Sequence, residues 1–203
     1  MHPNPAFCAE ERARHIEFAR DRGFGVLVLS TDGAPLLSHV PILLSDDGRV
    51  AELHLVRSNP IVRALEKPKA AKIAVQGPDG YISPDWYEVE DQVPTWNYVA
   101  VHLTGELELR PQEELLDLLN RQSAFYEERL QPKPPWATGK MSNEALTKMM
   151  RMIVPCRMQV EDVQGTWKLS QNKPDDVRLR ASEQIASGIG SELNVLQELM
   201  RNA

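Results

Sequence analysis

Cysteine is scarce in this chain: only Cys8 and Cys156 occur among 203 residues, far apart and outside any C-x-x-C pair. That excludes a disulfide framework and a cysteine zinc site, and makes the reducing cytoplasm the expected setting. Positive charge is also short. Lysine and arginine total 23 against 29 aspartates and glutamates, a formal net charge of -6, so there is no bulk cation excess to displace counterions from a nucleic-acid duplex. Any contact with DNA has to be local or made by a partner. No apolar run reaches the roughly 20 residues of a membrane span, and the first residues lack the basic-then-apolar order of an export signal, so no membrane partner is expected. Fixed-spacing signatures are missing as well. The five histidines form no H-E-x-x-H, and neither G-x-G-x-x-G nor G-x-x-x-x-G-K-[ST] occurs, which removes a zinc hydrolase, a Rossmann site and a P-loop.

Aromatic residues make up only 6% of the chain, yet two of the four tryptophans and three of the four tyrosines fall within residues 81–107. Two readings stand for Trp86, Tyr87, Trp96 and Tyr98. They are core and lid residues, since large aromatics bury much area, or they wall a planar ligand site in which Ser83, Thr95 and Asn97 fix orientation. Pro84 and Pro94 stiffen either arrangement.

In chain order, residues 9–22 read as a helix ended by Gly23, and residues 25–30 and 36–44 as two strands of a hairpin joined by T-D-G-A-P. A third strand over 50–56 follows the turn S-D-D-G-R. Asn59 and Pro60 have the pattern of a helix cap and first position, giving a short helix over 61–67. Residues 72–76 form a strand entering a G-P-D-G turn, and residues 98–109 a long strand stopped by Pro111. A leucine-rich helix runs toward Arg129, a stiff Pro-rich connection follows, and Ser142 caps a helix through Met152 whose Leu146, Met149, Met150 and Met152 belong to the core or to an interface, the core being the expected place. Residues 156–163 are the last strand, and two helices from Pro174 onward are divided at 188–190. The pattern predicts a β-rich α+β fold, a small antiparallel barrel with peripheral helices in one domain over 1–203, the helical extension covering 174–203.

Three clusters carry chemistry. H-L-V-R-S-N-P over 54–60 offers a guanidinium, a hydroxyl, an amide and helix-terminal N–H groups together, which suits a phosphate; the alternative is a surface arginine beside a helix cap. His54 has the rival reading of a packed structural histidine. H-V-P-I-L over 39–43 puts a proline inside a strand and so implies an edge or a gap in the ladder. In W-K-L-S-Q-N over 167–172, Lys168, Ser170 and Gln171 form a polar group that either approaches a ligand or is a solvated flank of a buried Trp167.

The wording of these segments resembles the FMN-binding negative transcriptional regulator family, the PaiB-like proteins. It is carried by I-S-P-D-W-Y, V-P-T-W-N-Y-V-A-V-H and W-K-L-S-Q-N, with M-H-P-N-P-A-F, H-V-P-I-L-L and H-L-V-R-S-N-P in the family's order. The resemblance implies a split-barrel flavin-binding fold, FMN as cofactor and a homodimer with flavin sites at the subunit interface. It makes Arg57, Ser58 and Asn59, with Lys168, the candidates for the phosphate and His54 a further contact. Val40, Pro41, Ile42 and Leu43 would meet the pyrimidine edge. Trp86, Thr95, Trp96 and Asn97 would frame the ring, with Ser170 and Gln171 alongside.

The function implied is transcriptional regulation as a flavin-dependent sensor. The alternative is an FMN-dependent oxidoreductase or flavin reductase, in which the flavin transfers hydride and the protein positions it; no residue identifies a substrate or settles whether the chain is catalytic. A DNA-binding repressor without cofactor is a third reading, set against the acidic balance and the missing basic recognition helix.

Overall fold

The computed structural model of the protein describes residues 1–203. In chain order its helices are α1 (Arg12–Arg22), α2 (Pro60–Ala64), α3 (Leu115–Glu127), α4 (Asn143–Met150), α5 (Asp175–Ile185) and α6 (Leu193–Arg201). Its strands are β1 (Phe24–Leu29), β2 (Leu36–Pro41), β3 (Leu43–Leu44), β4 (Val50–Val56), β5 (Lys69–Ile82), β6 (Thr95–Leu109), β7 (Ile153–Lys168) and β8 (Gly190–Ser191). They form an antiparallel sheet in the order β2-β1-β5-β6-β7-β4-β3, with β8 added beside β5. The chain divides into two compact units: residues 16–74 with 103–163, and residues 1–15 with 75–102 and 164–203.

In the first of these units, alternating residues place one face of each strand inside. Leu27 and Leu29 of β1, Leu53 of β4, Ile73 of β5, Leu103 and Leu107 of β6 and Met158 of β7 are all fully buried, each contributing about 1.5–3 kcal/mol relative to exposure. The hairpin register pairs Val26 with His39 and Val28 with Leu37. Gly23 ends α1 with φ of 59°, a left-handed geometry that glycine adopts without penalty. A Cβ there would also lie 2.7 Å from the Tyr126 hydroxyl.

The strand predicted over 36–44 breaks at Ile42. Proline at 41 has no N–H for the ladder, and Ile42 N instead donates to Gly23 O at 2.7 Å. The strand expected over 50–56 has those limits, and Asn59 caps α2 as its spacing predicts. The methionines of α4 depart from expectation. Met149 and its neighbour Met152 are 58% and 59% exposed, because α4 turns only Ala145, Leu146 and Met150 partly inward.

In the other unit, β5 runs through the predicted G-P-D-G turn to Ile82. Local turn chemistry loses to pairing: Asp79 and Gly80 face Ser191 and Gly190 of β8, and Tyr81 N donates to Ile189 O at 2.8 Å. Likewise β7 continues past Val163 to take in Trp167 and Lys168. The core here gathers Ile82, Tyr87, Val99, Val101, Trp167, Ile185, Leu196 and Met200, each buried.

Candidate functional site

The sequence-predicted residues fall into two sets, each within one unit. In the first, Arg57 follows the exposed end of β4. Its Nε donates to Arg151 O at 2.9 Å and its Nη2 to Gln112 Oε1 at 2.7 Å and Ile153 O at 3.3 Å. These acceptors are neutral, so they orient the guanidinium without cancelling its charge. Ser58 beside it is exposed. Asn59 is more committed than its residue type suggested. Its Oδ1 accepts from Ile61 N at 2.9 Å and its Nδ2 donates to Ser38 Oγ at 3.1 Å.

The helix-terminal N–H groups expected to face a phosphate are used in the same way. Pro60 has none, Ile61 N is capped by Asn59, and Val62 N donates to Asn59 O at 3.0 Å. The notch therefore presents the remaining guanidinium edge of Arg57 and the Ser58 hydroxyl.

Val40 and Ile42 are buried, while Pro41 and Leu43 are half-buried. The gap in the ladder is filled from within, since Ile42 O accepts from the Tyr126 hydroxyl at 3.4 Å while its N–H is held by Gly23. Leu43 also lines a cavity of about 460 Å³ with Arg20, Glu52, Arg121 and Arg157. There Glu52 bridges Arg121 at 2.6 Å and Arg157 at 3.0 Å; the two arginines outweigh the desolvation of Glu52 and hold its carboxyl below the usual range. His54 is half-buried against Gln122, and burial lowers its pKa, the Gln122 contact opposing.

In the other unit, the tryptophans divide. Trp86 is half-buried with its ring edge over Gly188, whereas Trp96 is 46% exposed and meets Tyr81 edge to face at 6.2 Å. Tyr87 is the buried one, at 1% exposure, and takes the core reading of the two. The loop between them carries Glu88 and Asp91 in left-handed backbone geometry.

Thr95, Asn97, Lys168 and Ser170 are brought together around a cleft of about 230 Å³, joined by Tyr87, Gln92 and Lys173. The Tyr87 hydroxyl and Ser170 Oγ are 2.9 Å apart, and Asn97 Nδ2 donates to that Oγ at 2.9 Å. Ser170 is buried with φ of 64°, a conformation uncommon outside glycine and asparagine. Lys168 Nζ donates to Thr95 Oγ1 and Lys173 Nζ to Gln92 Oε1, both neutral acceptors. Burial lowers the pKa of Lys168. Lys173 lies 4.4 Å over the Tyr87 ring, a cation–π contact.

Gln171 does not join them. Its Nε2 holds Ala6 O at 3.1 Å and its Oε1 accepts from Leu169 N at 2.8 Å, so it staples the turn to the N-terminal segment. Gln92 and Lys173 escaped the sequence reading. Lys173 stands one place beyond W-K-L-S-Q-N, and Gln92 follows the acidic residues Glu88, Glu90 and Asp91, outside every motif singled out.

An antiparallel sheet broken after its second strand and flanked by six helices defines the class, a flavin-binding split barrel of α+β type. The chain belongs to the FMN-binding family whose model, described as "Putative FMN-binding domain", matches residues 1–162. It is 32% identical over 187 residues to "Protease synthase and sporulation protein PAI 2" of Bacillus subtilis, covering 91% of this chain and 89% of that protein. In fold it is similar to the FAD and heme binding protein from Mycobacterium smegmatis, with a TM-score of 0.58 at 17% identity over 89% of this chain and 80% of that one. It is similar too to the flavocytochrome Anf3 from Azotobacter vinelandii, with a TM-score of 0.55 at 12% identity over 82% and 72%. No helix is long and apolar enough to cross a membrane, and no cluster of three histidines, cysteines or carboxylates is placed to hold a metal ion.

Proposed function

We propose that this protein binds FMN and serves in transcriptional regulation as a flavin-dependent sensor, working as a homodimer with its flavins at the subunit interface. The observation that carries the reading is the notch at the end of β4. Arg57 is oriented by three neutral acceptors with a guanidinium edge and its full charge left over, next to an exposed Ser58. These two groups fit the phosphate of FMN, and charge-assisted bonds of this kind contribute about 1.5–3 kcal/mol each.

Family membership supports FMN in particular. The homodimer is supported by the outward face of β1 and β2, where Phe24 and Leu37 are 53% and 59% exposed, and by Val56, 52% exposed immediately before Arg57. When bound, FMN supplies electron transfer and a ring whose charge follows its redox state. The protein holds the phosphate, shields the ring and couples that state to its own surface.

The test is the absorbance spectrum and mass of the molecule that copurifies, followed by titration of the stripped protein with FMN. Arg57→Ala is expected to weaken FMN by roughly 10- to 100-fold, the loss of one charge-assisted contact. An unchanged affinity removes Arg57 from the site, and stripped protein that takes up no FMN ends the reading.

A further inference from the structure

At the junction of α4 and β7 one run of carbonyls holds both the end of a helix and the cation of the notch. Arg57 N donates to Met152 O at 2.8 Å, its Nε to Arg151 O at 2.9 Å and its Nη2 to Ile153 O at 3.3 Å. Gln112 completes this frame. Its Nε2 donates to Met150 O at 3.0 Å and to Ile153 O at 3.3 Å, while its Oε1 accepts from Arg57 Nη2 at 2.7 Å. Each carbonyl from residue 150 to residue 153 is therefore taken by Arg57 or Gln112.

Little else secures α4. Its eight residues fall short of the roughly 12–15 at which an isolated helix is even marginal in water. None of its side chains is fully buried: Ala145, Leu146 and Met150 are half-buried, and Met149 is 58% exposed. Ser142 caps the first turn by accepting from Ala145 N at 3.2 Å. The last turn, where carbonyls lack intrahelical partners and the helix dipole is negative, is held by Gln112 directly and by Arg57 through the residues that follow. Docking of α4 and placement of the Arg57 guanidinium are thus a single arrangement.

A guanidinium carries five N–H donors. The frame takes three of those on Arg57, which leaves the two on Nη1. A phosphate can meet Nη1 without displacing any carbonyl, and it meets a fixed Nη1 only while the frame is in place. We propose that α4 is the element through which the notch signals its occupancy: the FMN phosphate on Arg57 and the docking of α4 stabilise each other. This rests on the notch taking the flavin phosphate and adds the part of the surface that responds. The effect is reciprocal by linkage. A ligand that requires the framed guanidinium draws α4 onto the body, and loss of the frame weakens the ligand. Met149 and Met152, both exposed, lie on or next to this element, so its state alters what the protein presents to solvent.

The experiment is amide hydrogen exchange on the full-length protein, stripped of flavin and then saturated with FMN, together with FMN titrations of Arg57→Ala and Gln112→Met. Saturation is expected to slow exchange over residues 145–152 by at least about fivefold, the lower end of ordinary coupling between sites. In Arg57→Ala, saturated at a higher FMN concentration, that slowing is expected to disappear. Gln112→Met keeps side-chain length but loses the amide donor and acceptor. It is expected to speed exchange over α4 in the stripped protein and to weaken FMN by at least about fivefold. Unchanged exchange over α4 in the FMN-bound protein, slowing that persists in Arg57→Ala, or unchanged FMN affinity in Gln112→Met overturns the proposal and leaves the flavin reading intact. That reading fails in the titrations themselves: FMN that does not bind, or that binds Arg57→Ala as tightly as the unsubstituted protein, ends it and this inference with it.

Discussion

His15 shows how single side chains tie the end of β7 in place. It is 4% exposed, its Nδ1 accepts from Trp167 Nε1 at 3.1 Å, and the Arg14 guanidinium lies 4.0 Å over the Trp167 ring. Gly165 leaves room for this arrangement, since a Cβ there would sit 2.3 Å from the imidazole. Accepting at Nδ1 requires a neutral ring, and burial lowers the His15 pKa below 6.5, with Glu10 opposing and Arg14 adding to the shift. The sign follows from linkage: between the folded pKa and roughly 6.5 the unfolded chain holds the extra proton, so stability rises with pH. His54 acts in the same sense. Unfolding followed by circular dichroism should give a Tm that falls as pH drops below about 6.5, each kcal/mol appearing as roughly 2–4 °C for a chain of this length. His15→Gln, which keeps an acceptor for Trp167 but cannot be protonated, should flatten that fall and leave the part due to His54. An unchanged slope assigns the acid sensitivity to other groups.

Among elements, α5 and α6 depend on one close approach. A Cβ on Gly80 of β5 would lie 2.8 Å from Ile185 Cδ1, 2.9 Å from Leu196 Cδ2 and 3.1 Å from Leu193 Cδ2, so both helices rest on bare backbone there. Gly80→Val should cost about 1–3 kcal/mol by overpacking. The loss should be local, seen as faster amide exchange over α5 and α6 while α3 keeps its protection; uniform loss of protection would show that these helices fold with the rest. At Gly80 the local signal and the observed strand disagree. G-P-D-G has every local mark of a turn, and only the pairing with β8, more than a hundred residues on, makes it strand. Elements governed by neighbours in sequence were legible: the strand over 50–56, the caps at Asn59 and Ser142, and the stop at Gly23. The candidate site divides likewise. Lys168 and Ser170 were visible as a polar run, whereas their grouping with Asn97, Gln92 and Lys173 is set by β6 and β7 lying side by side, which no local spacing encodes.

At the scale of the whole molecule, the question is what covers the outer face of the β1–β2 hairpin. Directly opposed residues on one face of an antiparallel pair interact, and the pairs here are Phe24 with Pro41, Val26 with His39 and Val28 with Leu37. Phe24 also stacks on His39 at 6.4 Å. A sheet face this apolar, with Leu37 59% exposed at its turn end and Phe24 53% exposed at the other, is unusual for a surface that meets only water, and β2 is an edge strand of the sheet, a position proteins normally protect. A second copy of the chain is the occupant that the proposed homodimer supplies. Leu37→Glu tests this, because a carboxylate placed in an apolar contact must be desolvated but remains harmless on a free surface. Light scattering after gel filtration should show a dimer for the unsubstituted protein and a monomer for Leu37→Glu, with the fold unchanged by circular dichroism. If the flavins lie at the subunit interface, the monomer should lose FMN although Arg57 and Ser58 are intact. A dimer that persists moves the contact elsewhere, and a monomer that keeps its flavin places the whole site on one chain.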